Sequence, residues 1–210
     1  MKIPKVLFAL AIALLLPTIS WAITFQLGNN PQPGEENVLL NNGTTGMLVT
    51  GITNQTGFVV NFTSTQVLSE PSSGQARIEA TNNGSQVALA DVSFSLANGG
   101  TFEDAIFNMF IGGTIGSPSN ATITAVANDG TFQFTTALGN GSNFLTIFAT
   151  GGEVINSISI DASSGFTDLR QVRISGATAP SAVPDTGSTL ALLGSGVSAL
   201  ALLRRKLVCQ

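Results

Sequence analysis

Apolar and polar residues alternate with a period of two through most of this chain. Phe58, Val60 and Phe62 alternate with Val59, Asn61 and Thr63, and Val92, Phe94 and Leu96 with Ser93 and Ser95. Phe132 and Phe134, Ile158 and Ile160, and Val172 and Ile174 repeat the pattern. Such alternation predicts strands with one buried and one wet face. Ile106 to Ile111 and Phe144 to Ala149 are apolar on both faces and predict central strands. Val87 and Leu89 run in the opposite phase to Val92 and Phe94, which a bulge near Asp91 would reconcile.

Turn signals separate these runs: Asn42-Gly43, Asn83-Gly84, Asn98-Gly99-Gly100, Asn128-Asp129-Gly130 and Asn140-Gly141. Asn-Gly and Asp-Gly suit the positive φ angles of type I′ hairpins. Ala121 to Val126 and Thr131 to Ala137, flanking Asp129-Gly130, form the clearest predicted hairpin. About eleven short strands at this spacing predict an all-β body, a jelly-roll-like or immunoglobulin-like β-sandwich. No fixed-period repeat supports a solenoid. Outside the two ends no helix of ordinary length is expected.

The two ends differ from the body. Lys2 and Lys5 precede an apolar run from Val6 to Leu16, and Ser20-Trp21-Ala22 places small residues where a signal peptidase reads. Residues 1–22 are thus predicted to be a signal peptide with a helical apolar core, cut after Ala22. At the other end Val183-Pro184-Asp185-Thr186-Gly187 precedes an apolar run, Leu190 to Leu203, and the cluster Arg204-Arg205-Lys206. At about 1.5 Å per residue that helix would reach about 21 Å, against about 30 Å of hydrocarbon. It is a short transmembrane segment that needs its basic residues to snorkel, with the cluster held in the cytoplasm.

Motif, apolar run and basic stop together resemble a PEP-CTERM sorting signal, in the variant form with Val-Pro-Asp. The resemblance is confined to the tail. It implies recognition by an exosortase, a membrane cysteine protease of Gram-negative bacteria that make exopolysaccharide. Thr186 departs from the commonest pattern, and Leu207-Val208-Cys209-Gln210 extends beyond the basic stop. Val183 to Gly187 is also similar to the Leu-Pro-x-Thr-Gly signal of sortase-anchored wall proteins, which implies cleavage between Thr186 and Gly187. The organisation expected is signal peptide 1–22, β-sandwich 23–175, linker 176–182 and sorting signal 183–210.

Charge narrows the function of the body. Between the ends, three cations (Arg77, Arg170 and Arg173) face eleven acids, a net charge of about −8. A lysine-free acidic domain has no footprint for nucleic acid. The chain has no His or Tyr, and its one Cys, Cys209, lies beyond the basic stop, so disulfides are not expected in the body. Zinc, haem, iron–sulfur and copper sites lack their usual ligands. No cofactor is expected, with calcium the one candidate.

For calcium, the adjacent pair Glu103 and Asp104 would need help from Asp91, Asp129 or Asp161. Neighbouring strand residues point to opposite faces, so the pair is not a natural chelate or a glycosidase dyad. Without His or a spaced acidic motif, an enzyme is not expected. Arg170 and Arg173 are the candidate ligand residues, able to grip a carboxylate of an acidic polysaccharide or else to neutralise nearby acids. Arg77 and Glu79 are expected as a solvated pair.

The expectation is a non-catalytic exported protein, held transiently in the inner membrane and then found at the cell surface or in the extracellular matrix. Signal peptidase, an exosortase-type enzyme and exopolysaccharide are its expected partners. A carbohydrate-binding module is the second reading.

Overall fold

The computed structural model describes residues 22–180, apart from 41, 42, 72 and 73. The predicted signal helix and C-terminal apolar helix lie outside the described residues. Among the described residues no helix is long and apolar enough to cross a membrane.

The body is all-β. Its strands are β1 (Ala22–Leu27), β2 (Glu36–Leu40), β3 (Thr45–Thr53), β4 (Val59–Ser69), β5 (Gly74–Gln75), β6 (Arg77–Asn82), β7 (Ser85–Val87), β8 (Leu89–Leu96), β9 (Asp104–Phe110), β10 (Asn120–Ala127), β11 (Thr131–Ala137), β12 (Phe144–Thr150), β13 (Ile155–Phe166) and β14 (Asp168–Ser175). They form one hydrogen-bonded path, β1-β12-β9-β14-β2-β3-β4-β8-β13-β10-β11, with β5, β6 and β7 branching from it. The pairings between these strands are antiparallel, as short hairpin connections favour. The path is continuous, and neither a jelly-roll nor an immunoglobulin-like order is read from it.

The sheet turns back on itself near β14. One edge of β14 follows β9; the other pairs first with β6, at Leu169 and Arg170, and then with β2, at Arg173 and Ile174. β2 and β6 also pair with β3 and β4, which carries the sheet round the bend. The inward face then closes on itself. Phe94 of β8 stacks on Phe102 at 6.2 Å and meets Phe107 of β9 edge-on at 5.6 Å. These three rings are buried, as are Phe62 and Phe166. Each contributes about 1.5–3 kcal/mol through area removed from water. The predicted central strands are buried over part of their length: Ala105 to Met109 in β9 and Leu145 to Ile147 in β12 are buried, while Phe110, Phe144, Phe148 and Ala149 are half-buried.

Local chemistry explains the hairpins, with some corrections. The β10–β11 hairpin forms in the expected register, with Val126 opposite Thr131. Its turn uses no positive φ: the Ala127 N–H closes on the Gly130 carbonyl at 2.8 Å instead. The type I′ geometry appears at Asn83 (φ 51°) and Gly84 (φ 78°), between β6 and β7. The phase change expected as a bulge near Asp91 falls within β8, which buries Leu89 and then, past Ala90 and Asp91, Val92 and Phe94. Val87 ends β7 against β6, and Leu89 opens β8 against β13. The pairing of β8 with β13 is irregular at that point, between Asp91 opposite Asp161 and Leu89 opposite Phe166, with the extra residues on β13. The segment 176–182 is not free from its start, since Thr178 and Thr101 exchange backbone bonds of 2.8 and 3.1 Å.

Candidate functional site

The three body arginines sit on or beside β14, yet they serve two different places. Arg170 and Arg77 stand directly opposite each other on β14 and β6. Like charges so placed repel unless something lies between them. Asp168, fully buried, does so. Its Oδ2 accepts from Arg170 Nη2 at 2.7 Å and Arg77 Nε at 3.3 Å, and its Oδ1 from Arg170 Nε. Glu79 joins at 2.5 Å from Arg77 Nη2. Burial pushes the Glu79 carboxyl up, with Arg77 opposing and Asp168 adding to the rise. The Arg170 guanidinium also lies 3.7 Å over the Phe110 ring. Arg170 is thereby committed to structure. The Arg77–Glu79 pair, expected to be solvated, is part of this partly buried network because Glu79 itself is buried.

Arg173 lies elsewhere, on the wall of a polar recess of about 340 Å³. The recess forms where β14 passes from β6 to β2. Asn37 comes from β2, Gln75 from β5, Gln171 and Arg173 from β14, and Asn29 and Glu35 from the loop after β1. Arg173 Nη1 donates to Glu35 Oε2 at 2.8 Å, and Nη2 donates to Asn29 Oδ1. Glu35 Oε1 is held by the Gln32 N–H at 2.6 Å. Across the recess Gln75 Nε2 donates to Asn37 Oδ1 at 2.6 Å.

Gln171 has a strained backbone. Arg170 pairs with Asn108 and Arg173 with Ile106, so β14 spends one more residue than β9 over this step. That is a β-bulge, and Gln171 takes it with φ 52°, a left-handed angle usually given to glycine. Its N–H is fixed to the Ala76 carbonyl at 2.8 Å, while its side chain is exposed at the recess. Sequence reasoning singled out Arg173 but missed Gln171, Gln75 and the two asparagines, because amides in turn-rich sequence carry no distinguishing pattern.

Of the acids considered for calcium, Asp91 and Asp161 stand opposite each other on β8 and β13 and line one shallow pocket, but Glu103, Asp104 and Asp129 do not line it. Glu103 is exposed, whereas Asp104 accepts from Ser175 Oγ at 2.5 Å. Burial raises the Asp104 carboxyl, against the Ser175 bond and with the help of Glu103 and Glu35. Asp91 is clasped by the Thr65 N–H at 2.8 Å, by Ser64 Oγ at 3.1 Å and by the Thr65 hydroxyl. Glu36 closes the turn between β3 and β4, accepting from the Gln55 N–H, the Thr56 N–H and the Thr56 hydroxyl at 2.9, 2.7 and 3.0 Å. Among the described residues no group of three acids, His or Cys is placed to hold a metal ion.

Val183, Pro184, Asp185, Thr186, Gly187, Arg204, Arg205 and Lys206 lie outside the described residues. Ala22 is the first residue of β1, opposite Thr150. Cleavage after Ala22 would leave Ile23, opposite Ala149, at the head of the strand.

No curated protein and no solved structure matches the chain. The VPDSG-CTERM motif matches residues 182–207, with Thr186 where the motif's name has Ser. The tail is therefore a C-terminal sorting signal of a family related to PEP-CTERM, the kind that suggests a secreted protein which is processed and anchored.

Proposed function

We propose that this chain is a non-catalytic surface protein whose β-body, a folded-over sandwich, is delivered by its tail. Signal peptidase releases the N-terminus after Ala22. The apolar run 190–203, with Arg204, Arg205 and Lys206, holds the intermediate in the inner membrane. An exosortase-type enzyme reads Val183-Pro184-Asp185, and the body then resides at the cell surface or in an exopolysaccharide matrix. The carrying observation is the sorting motif at residues 182–207. A non-catalytic body is supported by the occupation of four of its acids. Asp168, Asp91, Glu36 and Glu35 are each bound to neighbours that hold structure together. The proposal requires no cofactor.

The test is cell fractionation of wild type and a Pro184→Ala, Asp185→Ala double variant in the producing bacterium. Wild type should reach the surface or medium, and the variant should stay in the inner-membrane fraction. Identical distribution of the two would refute sorting through this motif.

A further inference from the structure

We propose that the recess between β2, β5 and β14 is a binding site for a neutral saccharide. The inference concerns the body alone and does not depend on how the tail is processed.

The recess offers what sugar hydroxyls need, which is donors and acceptors side by side, most of them already held in place. Asn37 and Gln75 fix each other, and Arg173 is fixed by Glu35 and Asn29. Each amide in these bonds uses only one of its ends. Among the described residues, Asn29 Nδ2, Asn37 Nδ2 and Gln75 Oε1 have no protein partner, and neither end of the Gln171 amide has one. A sugar hydroxyl both donates and accepts, so it can pair with either end of an amide. Groups ordered beforehand lose less freedom when a ligand arrives.

Charge selects the neutral class. The Arg173 guanidinium is already met by Glu35 at 2.8 Å, so no unpaired cation waits for a carboxylate. The surrounding body, with eleven acids against three arginines, repels an acidic chain.

Gln171 is the most specific pointer. Glycine would fill its left-handed position without steric cost, and its side chain makes no bond within the described protein. A strained residue that presents an exposed, unbonded side chain to a recess is the pattern of a binding position. Stability and binding should therefore move in opposite directions at this residue.

The experiment uses the full chain, isotopically labelled and solubilised in lauryldimethylamine oxide, because sugar-headed detergents would compete. Cellohexaose, maltohexaose, mannohexaose and hexagalacturonate are titrated while the side-chain amide resonances of Asn37, Gln75 and Gln171 are followed. At least one neutral hexamer should give saturable shifts at all three, with hexagalacturonate at least tenfold weaker. Gln171→Gly should weaken that binding tenfold or more while raising Tm. Gln75→Ala, on the exposed strand β5, should weaken it without lowering Tm by more than a few degrees. No saturable shift with any neutral hexamer would overturn the proposal. So would equal binding of hexagalacturonate, or unchanged affinity in both variants.

Discussion

Phe25 in β1 and Phe134 in β11 stack with ring centroids 5.4 Å apart and planes only 13° from parallel. Their strands stand at opposite ends of the hydrogen-bonded path. The two ends of the sheet therefore meet through side chains rather than through a backbone ladder. Aromatic pairs of this kind contribute about 0.5–1.5 kcal/mol beyond their buried area. A double-mutant cycle with Phe25→Ala and Phe134→Ala, read by urea unfolding, should show coupling of that size. Strict additivity would mean that the ends are held by something else.

Asp168 separates two arginines that face each other across β6 and β14. Removing one partner of a buried ionic group typically costs about 3–5 kcal/mol. Asp168→Asn should destabilise the body by that order, and Arg77→Ala by much less, because the Arg77 side chain is 41% exposed. Equal losses from the two variants, measured by chemical denaturation, would contradict this ranking.

Two carboxylates should leave opposite marks on acid stability. Burial pushes the Glu36 carboxyl up, but bonds from Thr56, Gln55 and Thr53 outweigh it and hold the group below its ordinary range. Its folded value thus lies below its unfolded one. That contribution is complete above the ordinary glutamate range and disappears as pH falls through the lowered value. Glu36→Gln should lower the urea midpoint at pH 7, with the difference from wild type shrinking in acid.

Asp104 is shifted the other way, so its ionisation costs stability above its raised folded value and the cost is relieved as pH falls below the unfolded one. Asp104→Asn retains an acceptor for Ser175. It should raise the midpoint at pH 7 and match wild type near about pH 3, where an ordinary aspartate is mostly protonated.

Gly84 and Gly116 share nearly the same φ, 78° and 76°, in different surroundings. A Cβ at Gly84 would meet open space, whereas at Gly116 it would lie 2.9 Å from the Phe166 carbonyl carbon. Gly84→Ala should cost only the left-handed backbone term, about 1–2 kcal/mol. Gly116→Ala should add about 1–3 kcal/mol of overlap, because backbone must shift. Thermal unfolding of the two variants would separate these contributions.

The all-β class was legible in the chain because period-two alternation reports burial directly, as Phe62 and Phe94 show. So was the sorting tail, whose information is linear in sequence. The strand path was not legible. The switch of β14 from β6 to β2 depends on pairings between residues far apart in the chain, such as Arg170 with Arg77 and Arg173 with Asn37, which no local pattern records. The recess was hidden for the same reason. Asn29, Asn37, Gln75 and Gln171 read as ordinary turn and strand polar residues until the sheet brings them together. Arg170 stands out in the sequence as a rare cation in an acidic body, but its guanidinium is taken up by Asp168.

The intact mass of the protein recovered from the surface of its producing cells is the decisive measurement. A chain that begins at Ile23 and lacks the residues beyond a cut at or near Val183-Pro184-Asp185-Thr186-Gly187 is the expected result. A surface protein that still carries the whole tail through Arg204-Arg205-Lys206 to Gln210 would contradict processing at this signal.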